Sequence, residues 1–204
     1  MNYDSIRSAP AKGTIRTLSQ SELPLLRDHL LRLDRTSRYD RFHGFMDDGF
    51  IKRYAEKCAN DGTVIIAYFE DGTVRGAAEL HPPEQSPDGE PEIAFSVERS
   101  ARRKGVGSIL FRKLIAEAWA RGYRSLRITT GAQNEAMRAL ANKFGAKLTF
   151  RHGESTGSID LARHGQPELV PAAVVPLEAA RAIANLNRAY WQMVFKMYGW
   201  GRAA

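Results

Sequence analysis

The stretch Thr63-Val-Ile-Ile-Ala-Tyr-Phe-Glu70, then Asp71-Gly72, then Thr73-Val-Arg-Gly-Ala-Ala-Glu-Leu80 constrains the fold of this chain more than any other. Two runs rich in β-branched and aromatic residues flank a dipeptide in which both positions favour positive φ, the signal of a two-residue hairpin. The pair must be antiparallel, and the rest of the sheet has to be built around it.

Upstream, Gly13 to Thr17 reads as a strand. It leads into a helix whose Leu23, Leu26, Leu30 and Leu33 recur at three- and four-residue spacing, with Ser19 or Ser21 as cap and Pro24 in the first turn. A second helix is expected from about Asp47 to Ala59, and the segment Ser37 to Phe45 between the two helices is expected to be a loop. Downstream, His81 to Pro91 is too rich in Pro, Gly and charge for regular structure. Glu92 to Val97 then alternates, with Ile93, Phe95 and Val97 on a core face and Glu92, Ala94 and Ser96 on a small, polar one.

After Gly105 and Gly107, the stripe Val106, Leu110, Leu114 and Ala118 predicts a helix ending near Gly122. Arg124 to Thr130 reads as a strand, and Asn134 opens a helix with Met137, Leu140, Ala141 and Phe144 on one face, closed by Gly145. Lys147 to Arg151 and Gly157 to Ala162 are expected as a last strand pair. Strand, helix, strand, helix is an α/β pattern. A final helix from about Leu177 carries Ile183, Leu186, Tyr190, Met193, Met197 and Trp200, a stripe suited to packing on its own domain or to a homodimer contact.

With 204 residues, 43% hydrophobic and 26% charged, the chain has the composition of one soluble domain. The expected division is an arm over residues 1–12, a domain over 13–162, and a linker with a helix over 163–204. The opening residues lack a signal-peptide core and no run is long and uncharged enough to span a bilayer, so a cytoplasmic protein without membrane contact is expected. The net charge of +7 is spread along the chain without a recognisable nucleic-acid motif, so nucleic acid is not the expected partner. Cys58 stands alone on a helical face and reads as a core thiol, and the five histidines lack ligand spacing, so no metal is expected.

The segment Arg102-Arg-Lys-Gly-Val-Gly-Ser108 lies between a strand and a helix, where glycine loops hold phosphates. A dinucleotide fingerprint fails because Leu110 stands at the third glycine, and a P-loop fails because the lysine precedes the glycines. What remains is Arg-x-x-Gly-x-Gly at a helix start, where unpaired N–H groups and the helix dipole favour an anion. Gly105 and Gly107 would let a pyrophosphate approach the backbone, and Arg102, Arg103 and Lys104 add positive charge.

The strand Glu-Ile-Ala-Phe-Ser-Val, this loop, the helix after it, a strand and Asn-x-x-Met-x-x-Leu-Ala-x-Lys-Phe-Gly-Ala follow one another between Glu92 and Ala146. That order resembles the GNAT superfamily of acyl-CoA-dependent N-acetyltransferases. The strand and the last helix are most similar to the catalytic domain of bacterial Pat-type protein-lysine acetyltransferases. The resemblance implies an α/β (α+β) fold with a mixed, mostly antiparallel sheet flanked by helices, and acetyl-CoA as co-substrate. It also implies that the backbone of Lys104, Gly105, Val106, Gly107 and Ser108 binds the pyrophosphate of coenzyme A, helped by Arg102 or Arg103. Phe95, Ser96 and Val97 would pair with the pantetheine arm, and Asn134 would contact the cofactor, although capping alone also explains an Asn there.

An amine with a reference pKa near 10.4 must lose a proton before it attacks a thioester. Glu92 matches the Pat-type glutamate and is the expected general base. A backbone N–H near Phe95 or Ser96 would stabilise the oxyanion. Many GNAT enzymes use a tyrosine eight residues into the later helix to protonate the sulfur, and this chain has Ala141 there, leaving water or Ser96 as donors. Arg38, Arg41, Phe42 and His43 are candidate acceptor-site residues. The implied function is acetyl transfer from acetyl-CoA to a primary amine, a protein lysine first. A small-molecule amine and a non-catalytic acyl-CoA-binding module are the alternatives.

Overall fold

The computed structural model describes residues 13–83 and 89–164, all within one compact unit spanning Met1–Pro167. The arm before Gly13 and the helix expected from Leu177 lie outside the described residues. Seven strands form one sheet: β1 (Thr14–Thr17), β2 (Val64–Glu70), β3 (Thr73–His81), β4 (Glu92–Val97), β5 (Ser125–Gly131), β6 (Lys147–Arg151) and β7 (Glu154–Asp160). Their spatial order is β1-β2-β3-β4-β5-β7-β6, and every pairing is antiparallel except β4 with β5.

The hairpin forms as expected, with Asp71 at φ 50° and Gly72 at φ 72°. Because β2 and β3 lie inside the sheet with both faces covered, β2 is buried from Val64 to Phe69. The parallel pair requires a crossover, which α4 (Val106–Ala120) supplies. Its Val106, Leu110, Phe111, Leu114 and Ala118 pack with Ile66, Ile93, Leu126, Ile128 and Ile159 into one core, joined by Ala141 and Phe144 of the α5 region (α5, Glu135–Lys143).

The opposite face is covered by α1 (Leu23–Arg32) and α3 (Asp48–Asn60). Leu23, Leu26, Leu30, Ile51 and Cys58 pack there with Ile65, Ala67, Val74 and Ala77. A short 3₁₀ turn, Gln20–Glu22, precedes α1. Ser19 and Glu22 close a capping box on it, and Pro24 falls at the tolerated start of α1. Cys58 is buried, which pushes its thiol up to about 12, so it is a core residue rather than a nucleophile.

One expectation fails. Residues Arg35–Phe42 are a helix, α2, not a loop. Asp34 caps it by accepting from the Ser37 N–H at 3.1 Å, and His43 ends it in the left-handed region at φ 55°. The last strand also begins three residues earlier than the sequence suggests, at Glu154, and it ends at Asp160.

Candidate functional site

Strands β4 and β5 pair only at Glu92 with Arg127 and Ile93 with Ile128, and then diverge. Beyond Ile93, β4 keeps its ladder with β3 as far as Val97 opposite Gly76 and has no ladder on its β5 edge. A cavity of about 470 Å³ opens at that divergence. Phe95, Ser96, Val97, Arg102, Arg103, Gly105, Val106, Gly107, Ser108 and Asn134 all line it, with Met137 and Leu140 of α5 and Leu33, Ser37, Asp40 and Arg41 opposite. Every sequence-expected cofactor residue except Lys104 is therefore brought to one wall. The Lys104 ammonium instead pairs with Glu70 at 3.5 Å.

The loop is shaped by Gly105, which caps α4 at φ 84° and ψ 0°. The first hydrogen bond of α4 runs from Ile109 N–H to Gly105 O at 3.1 Å, so the N–H groups of Val106, Gly107 and Ser108 have no intrahelical acceptor. Gly107 carries a further constraint: a β-carbon there would lie 3.3 Å from the Leu140 side chain, so the glycine lets α4 and α5 approach. Arg102 donates to Val97 O at 2.9 Å and to Ser37 Oγ, tying the loop to β4 and α2.

A second cavity of about 330 Å³ shares Asp40, Arg41, Phe95, Asn134 and Met137 with the first, and Glu92 lines it. Arg41, Phe42 and His43 line it. Arg38 does not: its guanidinium bonds Asp48 at 2.6 Å and Leu31 O. Glu92 sits opposite His81 in the β3–β4 register, and among the described residues no side chain pairs with its carboxylate. Asn134 accepts from Met137 N–H at 3.0 Å, so it caps α5 while standing at the seam of the two cavities.

Beside Glu92 lies a buried polar network that sequence reasoning missed. Arg41 donates to Glu79 at 2.7 and 3.3 Å and to the Tyr54 hydroxyl, Tyr54 bonds Glu79, and its hydroxyl lies 3.2 Å from His81 Nε2. Burial opposes the Glu79 charge, but the Arg41 charge and the His81 hydrogen bond outweigh it and hold the carboxyl well below the usual range. Burial and the neighbouring Glu79 push the Tyr54 hydroxyl well up, so it stays protonated. The strand period was the available signal, since Glu79 and His81 alternate onto the face that carries Glu92.

The polar face of β4 is closed at its Ser96 end. Ser96 Oγ lies 2.9 Å from His29 Nε2, and His29 Nδ1 lies 3.1 Å from Glu98, which also receives Arg32 at 3.0 Å and Arg75 at 2.8 Å. His29 is fully buried and Ser96 nearly so. The Ser96 hydroxyl is thus committed to His29 and is not placed as a sulfur donor. Ala141 is fully buried in the core and offers no hydroxyl. Among the described residues, no cluster of His, Cys, Asp and Glu is arranged to hold a metal ion, and no helix is long and apolar enough to cross a membrane.

The family model described as acetyltransferase (GNAT) family matches residues 27–146. Among solved structures, the GNAT domain of S. lividans PAT is similar at 20% identity and TM-score 0.61, over 72% of this chain and 90% of that one. YncA, a putative acetyltransferase from Salmonella typhimurium with its cofactor acetyl-CoA, is similar at 20% identity and TM-score 0.55, over 77% and 98%. The PaiA N-acetyltransferase from Thermoplasma acidophilum in complex with coenzyme A is similar at 17% identity and TM-score 0.55, over 73% and 99%.

Proposed function

Because the chain belongs to the acetyltransferase (GNAT) family, we propose that it moves an acetyl group from acetyl-CoA to a primary amine by direct attack in a ternary complex. The observation that carries this reading is the meeting of two cavities at the divergence of β4 and β5, one lined by the glycine loop and the other by Glu92. Acetyl-CoA supplies, when bound, an acetyl group activated as a thioester.

The residues present suit that donor. Three N–H groups without intrahelical acceptors, the α4 dipole, Arg102 and Arg103 form a cradle for a pyrophosphate, and positive φ at Gly105 aims them. Phe95, Ser96 and Val97 offer a strand edge without a ladder to the amides of a pantetheine arm. Glu92 takes the proton from the attacking amine, and a backbone N–H near Phe95 or Ser96 stabilises the developing negative oxygen. Asn134 helps to shape the seam, and its backbone-capping side chain keeps α5 in register there.

A protein lysine is the leading acceptor, on the strength of the Glu92 strand and the Asn134 helix, and Arg41, Phe42 and His43 form its entry wall. Residues 13–162 form the catalytic domain in this reading. Labelled acetyl-CoA added to a cell lysate, later split into protein and small-molecule fractions, tests the acceptor class. Label in protein is expected, and label confined to small molecules overturns the lysine acceptor. Binding of acetyl-CoA with no acceptor-dependent thiol release across an amine panel would instead favour a non-catalytic module, the reading that buried Ala141 supports.

A further inference from the structure

Thr130, on β5, is 1% exposed, and its hydroxyl has no hydrogen-bond partner among the described residues. Leaving a hydroxyl buried and unpaired costs about 1–3 kcal/mol. Thr130 lines the cavity that contains Glu92, beside Phe95, Asn134 and Met137, which also line the cofactor cavity. Of the described side-chain atoms that are buried without a partner, Thr130 Oγ1 belongs to the one residue in either of these two linings.

The sheet sets its direction. Arg127 is the ladder partner of Glu92, so the two share a face, and Thr130, three residues further along β5, falls on the other face with Leu126 and Ile128. That face is covered by α4 and α5. Glu92 and Thr130 therefore approach the seam from opposite faces of the sheet. An amine attacking an acyl carbon and the sulfur leaving it also require groups on two sides. Ser96 is committed to His29 and Tyr54 to Glu79, Ala141 has no hydroxyl, and Thr129, which lines the same cavity, falls on the Glu92 face of the sheet rather than opposite it.

Resting on the acetyl-CoA reading above, we propose that Thr130 is a catalytic residue that donates a hydrogen bond to the coenzyme A sulfur as it leaves. Glu92 takes one proton from the protonated amine, nitrogen bonds to the acyl carbon, the carbon–sulfur bond breaks with its electron pair staying on sulfur, and the second proton that nitrogen sheds passes to water. Thr130 does not give up its proton, because an alcohol is far less acidic than a thiol of pKa about 8.5. It stabilises the thiolate in place, and the thiolate takes its proton from water on release.

The test needs no acceptor. Coenzyme A and desulfo-coenzyme A, which lacks the sulfur, are titrated into the wild-type chain, T130V and T130S by calorimetry, and the pKa of the bound thiol is read from thiolate ultraviolet absorbance. A hydrogen bond to a charged group predicts that wild type and T130S prefer coenzyme A over desulfo-coenzyme A by about tenfold above the thiol pKa. T130V is expected to lose that preference and to raise the bound thiol pKa by about one unit. An unchanged preference and thiol pKa in T130V overturns the role of Thr130 alone. Failure of the wild-type chain to bind either ligand overturns the acetyl-CoA reading and the Thr130 role together.

Discussion

Gly105 and Gly107 are two residues apart yet are glycines for different reasons. Gly105 sits at φ 84° with open space where a β-carbon would go, so its constraint is conformational, whereas Gly107 is helical and faces Leu140. Gly105→Ala is expected to lower stability by about 1–2 kcal/mol, the left-handed cost of an L-residue, and to weaken coenzyme A binding by turning the loop N–H groups. Gly107→Ala should cost less, because the flexible end of Leu140 can give by the few tenths of an ångström required. Denaturant midpoints of the two variants check the order. Glu92 is a different kind of residue, buried only in part and placed by the β3–β4 register. Glu92→Gln should reduce turnover about 100-fold or more while leaving acetyl-CoA affinity within about twofold. Equal turnover in that variant, measured as thiol release, would remove Glu92 from the mechanism.

Helix α2 carries Asp40, Arg41 and Phe42 to the site, and its start is joined to the glycine loop through Ser37 and Arg102. Asp34 holds that start through both the N–H and the hydroxyl of Ser37, at 3.1 and 2.6 Å. Asp34→Ala is expected to cost about 1 kcal/mol and to speed amide exchange in α2 before any other element, which hydrogen exchange with mass spectrometry would resolve. This helix was the element least legible in the sequence. Arg35–Phe42 has no apolar stripe, and its helix is held by long-range partners such as Asp48 for Arg38 and Glu79 for Arg41, which no local pattern reveals. The hairpin, α4 and α5 were legible because turn chemistry and apolar periodicity are local. The placement of the glycine loop at the start of α4 and of Glu92 at the start of β4 was legible from spacing and alternation. Glu79, Tyr54, His81 and Thr130 were not, since their meaning depends on burial and on which strand stands next to which.

At the scale of the whole molecule, two buried carboxylates fasten helices to the sheet. Glu98, just beyond β4, gathers Arg32 and His29 from α1 and Arg75 from β3. Glu79 on β3 gathers Arg41 from α2 and Tyr54 from α3. Burial raises the Glu98 carboxyl, but hydrogen bonds from His29 and Arg75 and the charges of His29 and Arg32 outweigh it and bring it down to about 2. A folded-state pKa below the unfolded one means that stability is fully present above the unfolded value, near 4.5, and is lost as pH falls through the folded value. Glu98 therefore contributes stability at neutral pH that is lost on acidification, and Glu79 acts in the same direction. Urea midpoints should therefore be insensitive to these two groups from pH 8 to about 5, and fall steeply below about pH 4.5. Glu98→Gln should lower the neutral-pH midpoint and flatten the acid limb. Glu79→Gln should cost more, about 3–5 kcal/mol, because it leaves the Arg41 guanidinium buried without its counter-charge. If both variants kept the wild-type slope below pH 4.5, other carboxylates would govern the acid limb, and the two fastenings would be packing contacts rather than electrostatic ones.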